Sequence, residues 1–226
     1  PVYTRGPLDK MEIAWQELEK RRPRVILDIA SGMGGGIRAI LERIRWNCTV
    51  ILTDLSHRIL AWDRRLIEEN IHNPYVDVVF LACDCADLPL ADGSVDCVTS
   101  FAGFESMQKK MNQGFREALR VLRPGGTAIY SISLISSRED PNVRRWLELF
   151  QPVMRELPWI MEDIRDSDEW QRYCATAGFA STQEIPIYQE LPAPAEGGFP
   201  FENCVLQWMS ASVCVSQKGG QPDDRM

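Results

Sequence analysis

A glycine-containing stretch near the start of the chain has the composition of a ligand-binding turn. Residues 28–34 read Asp-Ile-Ala-Ser-Gly-Met-Gly, directly after an apolar run and before a helix-like stretch from Gly35 to Arg43. Glycines in such a turn let the backbone approach a ligand without a clash with Cβ, and the start of the helix offers free N–H groups. Ordinary tight turns share this pattern, so it predicts a site only when other residues agree with it.

Three aspartates follow three successive apolar runs. Asp28 lies at the end of the first run, Asp54 ends the second, and Asp84 follows the third. Because the carboxyl ends of parallel strands lie along one crevice, we expect these carboxylates to surround one elongated ligand. Asp54 comes twenty positions after Gly34, which is the spacing of an acid that accepts hydrogen bonds from the hydroxyls of a ribose. The pattern therefore predicts a ribose-containing ligand.

The elements that position these residues are predicted from apolar runs that alternate with helix-like stretches. Runs that are apolar throughout are typical of strands buried on both faces of a parallel sheet. Ser56 is the predicted N-cap of a helix to Asn70. Arg116–Leu122 is the predicted end of another helix, which Arg123–Gly126 terminates. The predicted strands are Val25–Ala30, Thr49–Thr53, Val76–Ala82, Val95–Phe101 and Thr127–Ile132.

The C-terminal part of the chain follows a different order. A helix around Trp170–Ala177 stops at Gly178, and the strand-like runs Ser181–Tyr188 and Val205–Val215 follow with no helix between them. We therefore expect these two strands to pair antiparallel. The predicted fold is α/β, a Rossmann-like doubly wound sheet of seven strands, mostly parallel with an antiparallel C-terminal hairpin. We expect one domain over residues 1–216 and a polar, disordered tail over 217–226.

Two segments lie outside the sheet pattern. Leu8–Arg21 is amphipathic and predicts an N-terminal helix within residues 8–22. Asn142–Glu156 predicts a helix in an insertion over residues 134–166, where aromatic residues including Trp146 cluster. Plain core packing is one explanation of these aromatics. The other is a helical cap over the substrate, because insertions at the carboxyl edge of a sheet are where ligands are covered.

The overall composition argues against several classes of protein. The formal net charge is -7, with 32 acidic residues against 25 Lys and Arg, which argues against general nucleic-acid binding. The seven cysteines contain no Cys-x-x-Cys pair and there are only two histidines, so we expect free thiols and no metal site. No apolar stretch approaches about 18 residues, so we expect a cytoplasmic protein with no membrane segment. The oligomeric state stays open.

With these motifs, the chain resembles the class I S-adenosylmethionine-dependent methyltransferases, in particular the small-molecule branch called type 11. The resemblance runs from about Arg24 to Gly126. The family's first motif is an acid followed by Gly-x-Gly-x-Gly, and here Ala30 replaces the first glycine. The family's ribose-binding acid falls on Asp54, and its adenine-contacting acid falls on Asp84. Further matches are Asp92–Asp96, before the fourth strand, and Arg116–Gly126, before the fifth.

The resemblance implies S-adenosylmethionine as the cofactor and a role for each matching residue. The loop of Ala30, Ser31, Gly32 and Gly34 would hold the methionyl part, and Asp28 would organise that loop and reach the amino group. Leu55 and Cys85 would flank the adenine. The backbone near Ser100 and Phe101 would meet the methionyl end.

Methyl transfer from a sulfonium is an in-line displacement, so the protein chiefly has to position and desolvate the acceptor. Glu105 follows the fourth strand and is the candidate for orienting or deprotonating the acceptor; a helix-start carboxylate is the alternative. Tyr3, Phe104 and Trp146 are the candidate substrate contacts. The family's Asn/Asp-Pro-Pro-Tyr signature is missing after the fourth strand, which favours a small organic acceptor methylated on oxygen, nitrogen or carbon.

Two other functions are compatible with parts of the pattern. A nicotinamide-dependent oxidoreductase would explain the glycine loop and Asp54, but it explains Asp28, Asp84 and the antiparallel hairpin poorly. A methyltransferase-like module that binds the cofactor or a protein without turnover is also compatible, since no single residue is indispensable for the transfer step.

Overall fold

The chain folds around one seven-stranded sheet. The computed structural model describes residues 6–135, 137–141, 143–145, 147–148, 165–187 and 209–220. The strand order is β3-β2-β1-β4-β5-β7-β6, in which β7 runs antiparallel to both β5 and β6 and the other pairs are parallel. The strands are β1 Val25–Asp28, β2 Cys48–Asp54, β3 Val76–Ala82, β4 Val95–Phe101, β5 Leu122–Ile135, β6 Phe179–Ile187 and β7 Met209–Lys218.

Helices cover both faces of this sheet, and two consecutive residues of β1 contact different faces of the core. Ile26 belongs to a core cluster with the helices on one face, whereas Leu27 belongs to the cluster on the other face. A strand that is buried on both sides has to be apolar throughout, as β1 is. The helices are α1 Gly6–Arg21, α2 Gly35–Leu41, α3 His57–Asn70, α4 Gly103–Ser106, α5 Met111–Val121 and α6 Ser167–Ala177, with a 3₁₀ turn at Gln108–Lys110.

This architecture confirms the predicted fold class and most of the predicted elements. The bounds of β3 and β4 are those predicted. Ser56 caps α3 by accepting a hydrogen bond from Ile59 N, and α6 ends at Gly178 in the left-handed conformation. The predicted antiparallel pairing of the last two strands is also confirmed.

Three predicted boundaries were wrong. β1 stops at Asp28, because the chain turns at Ala30, which has a φ of 51°. β5 begins at Leu122, so the Pro-Gly-Gly stretch lies within the strand; Val95 pairs with Leu122 and Cys97 with Thr127, and the extra residues form a bulge. β7 continues to Lys218 because it pairs there with β6, so the strand includes the first two residues of the predicted tail.

Several predicted features lie outside the described residues. They include Trp146, most of the second half of the insertion, Tyr3, and residues 221–226 of the tail. Pro141 and residues 143–145 at the start of the insertion are helical, and Val143 is buried. The role of the insertion as a cap stays a prediction. Within the described part of the chain, no helix has the length and apolar character needed to cross a membrane.

Candidate cofactor site

The predicted site residues come together at the carboxyl edge of the sheet. β1 lies between β2 and β4, so Asp28 pairs with Leu52 on one side and with Thr99 on the other. Asp54 ends β2, and Asp84 follows β3, which is the next strand outward. The three carboxylates therefore lie at the ends of three adjacent strands, as expected from their positions in the sequence.

Asp54 joins the glycine loop to the start of α3. Its Oδ2 accepts a hydrogen bond from Gly32 N at 3.0 Å, and its Oδ1 accepts one from Ser56 N at 2.8 Å. Ser31 N donates to Thr53 O at 2.8 Å, which ties the same loop to β2. A carboxylate held by two backbone donors keeps one orientation, so its remaining lone pairs face a defined direction.

Asp28 is buried beneath the loop. Its carboxylate is shielded from solvent (2% exposed) and accepts a hydrogen bond from Thr99 Oγ1 at 2.6 Å. Thr53 Oγ1 donates to the backbone carbonyl of Asp28 at 2.7 Å. Burial raises the pKa of Asp28 to about 6, although the bond from Thr99 lowers it. The position fits the loop-organising role, and a direct contact with the cofactor amino group stays a prediction.

The loop packs tightly against the start of α4. Ser100 Oγ donates to Ile29 O and accepts from Phe104 N, both at 3.1 Å. A Cβ on Gly103 would overlap Ile29 O and Ser100 Oγ, so the two segments approach each other as closely as their backbones allow. The Ser100 side chain is fully buried and holds these two segments together. Its backbone contact with the cofactor stays a prediction, as does that of Phe101.

The predicted adenine side combines an exposed apolar residue with a fixed carboxylate. Leu55 is 77% exposed, so its side chain is accessible to the planar ring that the resemblance implies. Asp84 accepts hydrogen bonds from Ala86 N at 2.9 Å and from Lys110 Nζ at 2.5 Å, and Lys110 holds the pKa of that carboxyl below its usual value. Cys85 is buried, with Sγ 3.3 Å from Thr53 Oγ1. A hydrogen bond with the Cys83 thiol lowers the Cys85 pKa to about 7.

Sequence reasoning missed two residues that hold the loop between β3 and β4, which contains Leu88 and Leu90. Glu117 on α5 accepts a hydrogen bond from Leu88 N at 2.7 Å. Arg120, also on α5, donates to the carbonyls of Leu88 and Leu90 at 2.8 and 2.7 Å and pairs with Glu117. Both residues lie inside the 116–126 match to the family, but their contacts span about 30 positions and have no local signal.

Two of the four candidate residues on the substrate side, Glu105 and Phe104, lie within the described part of the chain. Glu105 Oε1 accepts a hydrogen bond from Ser133 N at 2.5 Å, so the carboxylate lies beside β5. Phe104 is fully buried and stacks on Phe115 with ring centroids 4.0 Å apart. Its contact with substrate stays a prediction, and this burial argues against it. Tyr3 and Trp146 lie outside the described residues.

Among the described residues, no cluster of three or more His, Cys, Asp or Glu side chains could hold a metal ion. The six described cysteines are free thiols. The candidate site presents backbone donors, carboxylates and apolar side chains. These groups can hold a ribose, an adenine and a cationic centre.

This sheet order and this edge of glycine loop and carboxylates define a Rossmann-like domain that binds a nucleoside cofactor. Comparison with known proteins makes the class specific: residues 26–126 match a family model described as a methyltransferase domain. The ubiquinone/menaquinone biosynthesis C-methyltransferase UbiE of Cellvibrio japonicus is 33% identical over 198 residues, which cover 87% of this chain and 74% of that protein. The chain belongs to the class I S-adenosylmethionine-dependent methyltransferases, and S-adenosylmethionine is its cofactor.

Other similarities agree with this assignment. The enzyme of the same name from Nitrosospira multiformis is 35% identical over 105 residues, covering 46% of this chain and 41% of that enzyme. The chain thus spans well under two thirds of the length of some curated relatives that it matches. The YcgJ protein from Bacillus subtilis has the same fold, with a TM-score of 0.66, 16% identity and coverage of 94% of this chain and 99% of its own.

The pKa of Asp28 leads to a prediction about pH. This carboxyl is mostly protonated below about pH 6 and ionised above it, and a cationic cofactor favours the ionised form. Cofactor binding should therefore release a proton near this pH, and affinity should rise as the pH rises from about 5 to about 8. Calorimetric titration with S-adenosylmethionine across this range, in buffers of different ionisation enthalpy, measures both effects.

The matched variant is Asp28→Asn, which keeps the shape of the side chain and cannot ionise. We expect a weaker and flatter pH dependence in this variant. If the affinity of the variant depends on pH as steeply as that of the wild type, another group titrates. Asp63 is then the first candidate, because burial raises its pKa.

Proposed function

We propose that the protein transfers the methyl group of S-adenosylmethionine to a small organic acceptor by in-line displacement. The observation that supports this most directly is the joining of the glycine loop to Asp54, through the hydrogen bond from Gly32 N. This bond joins the carboxylate proposed for the ribose to the loop proposed for the methionyl part. In this proposal Leu55 and Cys85 flank the adenine, and Asp84 contacts it from the β3 side.

The residues proposed at the site do little covalent chemistry. The cofactor brings a methyl group on a positively charged sulfur, which is already an activated leaving group. The glycine loop and the carboxylates orient it, and closing the site removes water from the acceptor; positioning of this kind can contribute about 7–11 kcal/mol in well-oriented systems. Glu105 is the proposed group that orients or deprotonates the acceptor, for which it would exchange its bond to Ser133 N for one to the acceptor.

We further propose a ring carbon of a quinone-type molecule as the acceptor. Both curated relatives described above are named as C-methyltransferases of ubiquinone and menaquinone biosynthesis.

The experiment is a methyl-transfer assay with isotopically labelled S-adenosylmethionine. Reduced quinones without a ring methyl group are the first acceptors, with phenols, amines and carboxylic acids as comparison classes. Labelled methyl on a ring carbon supports the proposal in full. Labelled product only from the other classes would overturn the quinone acceptor, and binding without turnover on any acceptor would favour a non-catalytic module.

Asp54→Ala tests the proposed ribose contact. We expect cofactor binding to weaken by about 1–3 kcal/mol, because the ribose hydroxyls lose a charged acceptor. The loop also loses its bond from Gly32 N to this carboxylate. Calorimetry measures the dissociation constant, and Asp77→Ala is the matched control, since Asp77 is an exposed aspartate on the neighbouring strand β3. An unchanged constant in Asp54→Ala would remove this residue from the site.

A further inference from the structure

One ionisable residue next to the site has no part in the function described above. Asp63 lies in the middle of α3 on its buried stripe, between Leu60 and Ile67, and its side chain is 0% exposed. An isolated carboxylate in such a place is costly, so it has to be paired, protonated or useful.

The pairing of Asp63 is incomplete. Its Oδ1 accepts a hydrogen bond from Arg38 NH1 on α2 at 3.0 Å. Its Oδ2 is buried and has no hydrogen-bond partner among the described residues. An apolar side chain of similar size is usually at least as stabilising as a buried ion pair with one unsatisfied oxygen. Stability alone therefore does not explain an aspartate here.

The location of the carboxyl group suggests another role. A Cβ placed on Gly34, the last residue of the glycine loop, would overlap both carboxylate oxygens of Asp63. The carboxyl group thus fills the space that a side chain at position 34 would occupy. Because Gly34 is also the N-cap of α2, and Arg38 lies one turn further along that helix, Asp63 contacts both ends of this first turn.

The loop is consequently held at two points by two different elements. Asp54, just before α3, accepts a hydrogen bond from Gly32 N, and Asp63, within α3, lies against Gly34. Both contacts join the glycine loop to the end of β2 and to α3, the two elements that flank Leu55.

We propose that Asp63, held by Arg38, is a positioning residue for the glycine loop and that it sets the affinity for the cofactor without touching it. This inference rests on the assignment of the glycine loop to the cofactor. It adds a residue outside the family's loop motif, together with a partner on a second helix.

The experiment measures the dissociation constant of S-adenosylmethionine by calorimetry, and the thermal midpoint of unfolding, for three variants. We expect Asp63→Ala to weaken binding by about tenfold, whereas Asp63→Asn stays within about threefold, since its amide oxygen still accepts from Arg38 and it fills the same space. The matched control is Glu68→Ala, which removes the exposed carboxylate partner of Arg64 on the same helix; its binding should not change.

The double variant Gly34→Ala/Asp63→Ala separates positioning from a general structural role. With the carboxyl group gone, the new Cβ has room, so the double variant should bind the cofactor more tightly than Gly34→Ala alone. Wild-type affinity in Asp63→Ala, or a double variant that binds no more tightly than Gly34→Ala, would overturn the inference. Should Asp63→Ala fail to fold, a tenfold loss in Asp63→Asn would overturn it as well.

These outcomes are distinguishable from failure of the proposed function. If the wild-type protein binds S-adenosylmethionine but methylates no acceptor, the proposed reaction fails and the role of Asp63 is still measured. If Asp63→Ala binds like the wild type while methyl transfer is observed, only the present inference fails.

Discussion

Gly34→Ala is expected to abolish measurable cofactor binding and to lower the free energy of unfolding by about 2–5 kcal/mol. Two effects add up. Gly34 has a φ of 65°, in the left-handed region, where an L-residue with a Cβ costs about 1–2 kcal/mol. The new Cβ would also overlap the carboxyl group of the fully buried Asp63, and overpacking of this kind costs about 1–3 kcal/mol.

Two neighbouring glycines are matched controls for this substitution. Gly32 has a φ of 57° and no atom within 4 Å of an added Cβ, so Gly32→Ala should show the conformational cost alone. An added Cβ on Gly35 would also have no atom within 4 Å, and Gly35 lies at the start of α2. Gly35→Ala should therefore leave the free energy of unfolding unchanged or slightly higher. Chemical denaturation ranks the three variants by free energy of unfolding, and calorimetric titration ranks them by affinity for the cofactor. Equal effects of Gly34→Ala and Gly32→Ala would show that the overlap with Asp63 has no energetic consequence.

Arg120→Met is expected to destabilise the protein by about 2–4 kcal/mol and to weaken cofactor binding. The guanidinium satisfies the backbone carbonyls of Leu88 and Leu90 and pairs with Glu117 and Asp92. Without it, two loop carbonyls and the half-buried carboxylate of Glu117 lose their partner. The loop from Asp84 to Asp92 would then be less firmly held, and Asp84 and Cys85, proposed to hold the adenine, lie at its start.

The control is Arg116→Met on the same helix. Arg116 is exposed, and among the described residues its Nε donates only to Asn112 O, at 3.4 Å within the helix, so we expect a change in stability below about 0.5 kcal/mol. Urea denaturation gives both free energies. If the two variants are equally stable, the network around Arg120 adds nothing to the fold, and the loop is held by its apolar packing at Leu88.

Much of the fold could be predicted because its signals are local. The continuous apolar run of β1 reflects its burial on both faces of the sheet, and such a run can be read directly from the sequence. Ser56 before α3 and Gly178 after α6 are chemical boundaries that depend on two or three neighbours. The carboxylates at positions 28, 54 and 84 could be placed at one edge because parallel strands have a common direction.

The errors arose where a contact between distant residues decides the local structure. The Pro-Gly-Gly stretch after Arg123 has the composition of a turn, but pairing of Val95 with Leu122 draws it into β5 as a bulge. In the same way, the sequence does not show that the ring of Phe104, whose contact with substrate stays a prediction, packs against Phe115 and Tyr130 in the aromatic core.

The class of the fold and the common edge of the three carboxylates could be predicted from apolar runs and strand direction, and the resemblance to the family implied the cofactor. The burial of Asp63 against Gly34 and the hydrogen bonds from Arg120 to the loop before β4 are seen only in the folded protein. An aspartate or arginine in a helix is ordinarily solvated, and burial is a property of the neighbouring elements rather than of the residue. The neighbours of these two side chains lie about 30 positions away, and only packing brings them together.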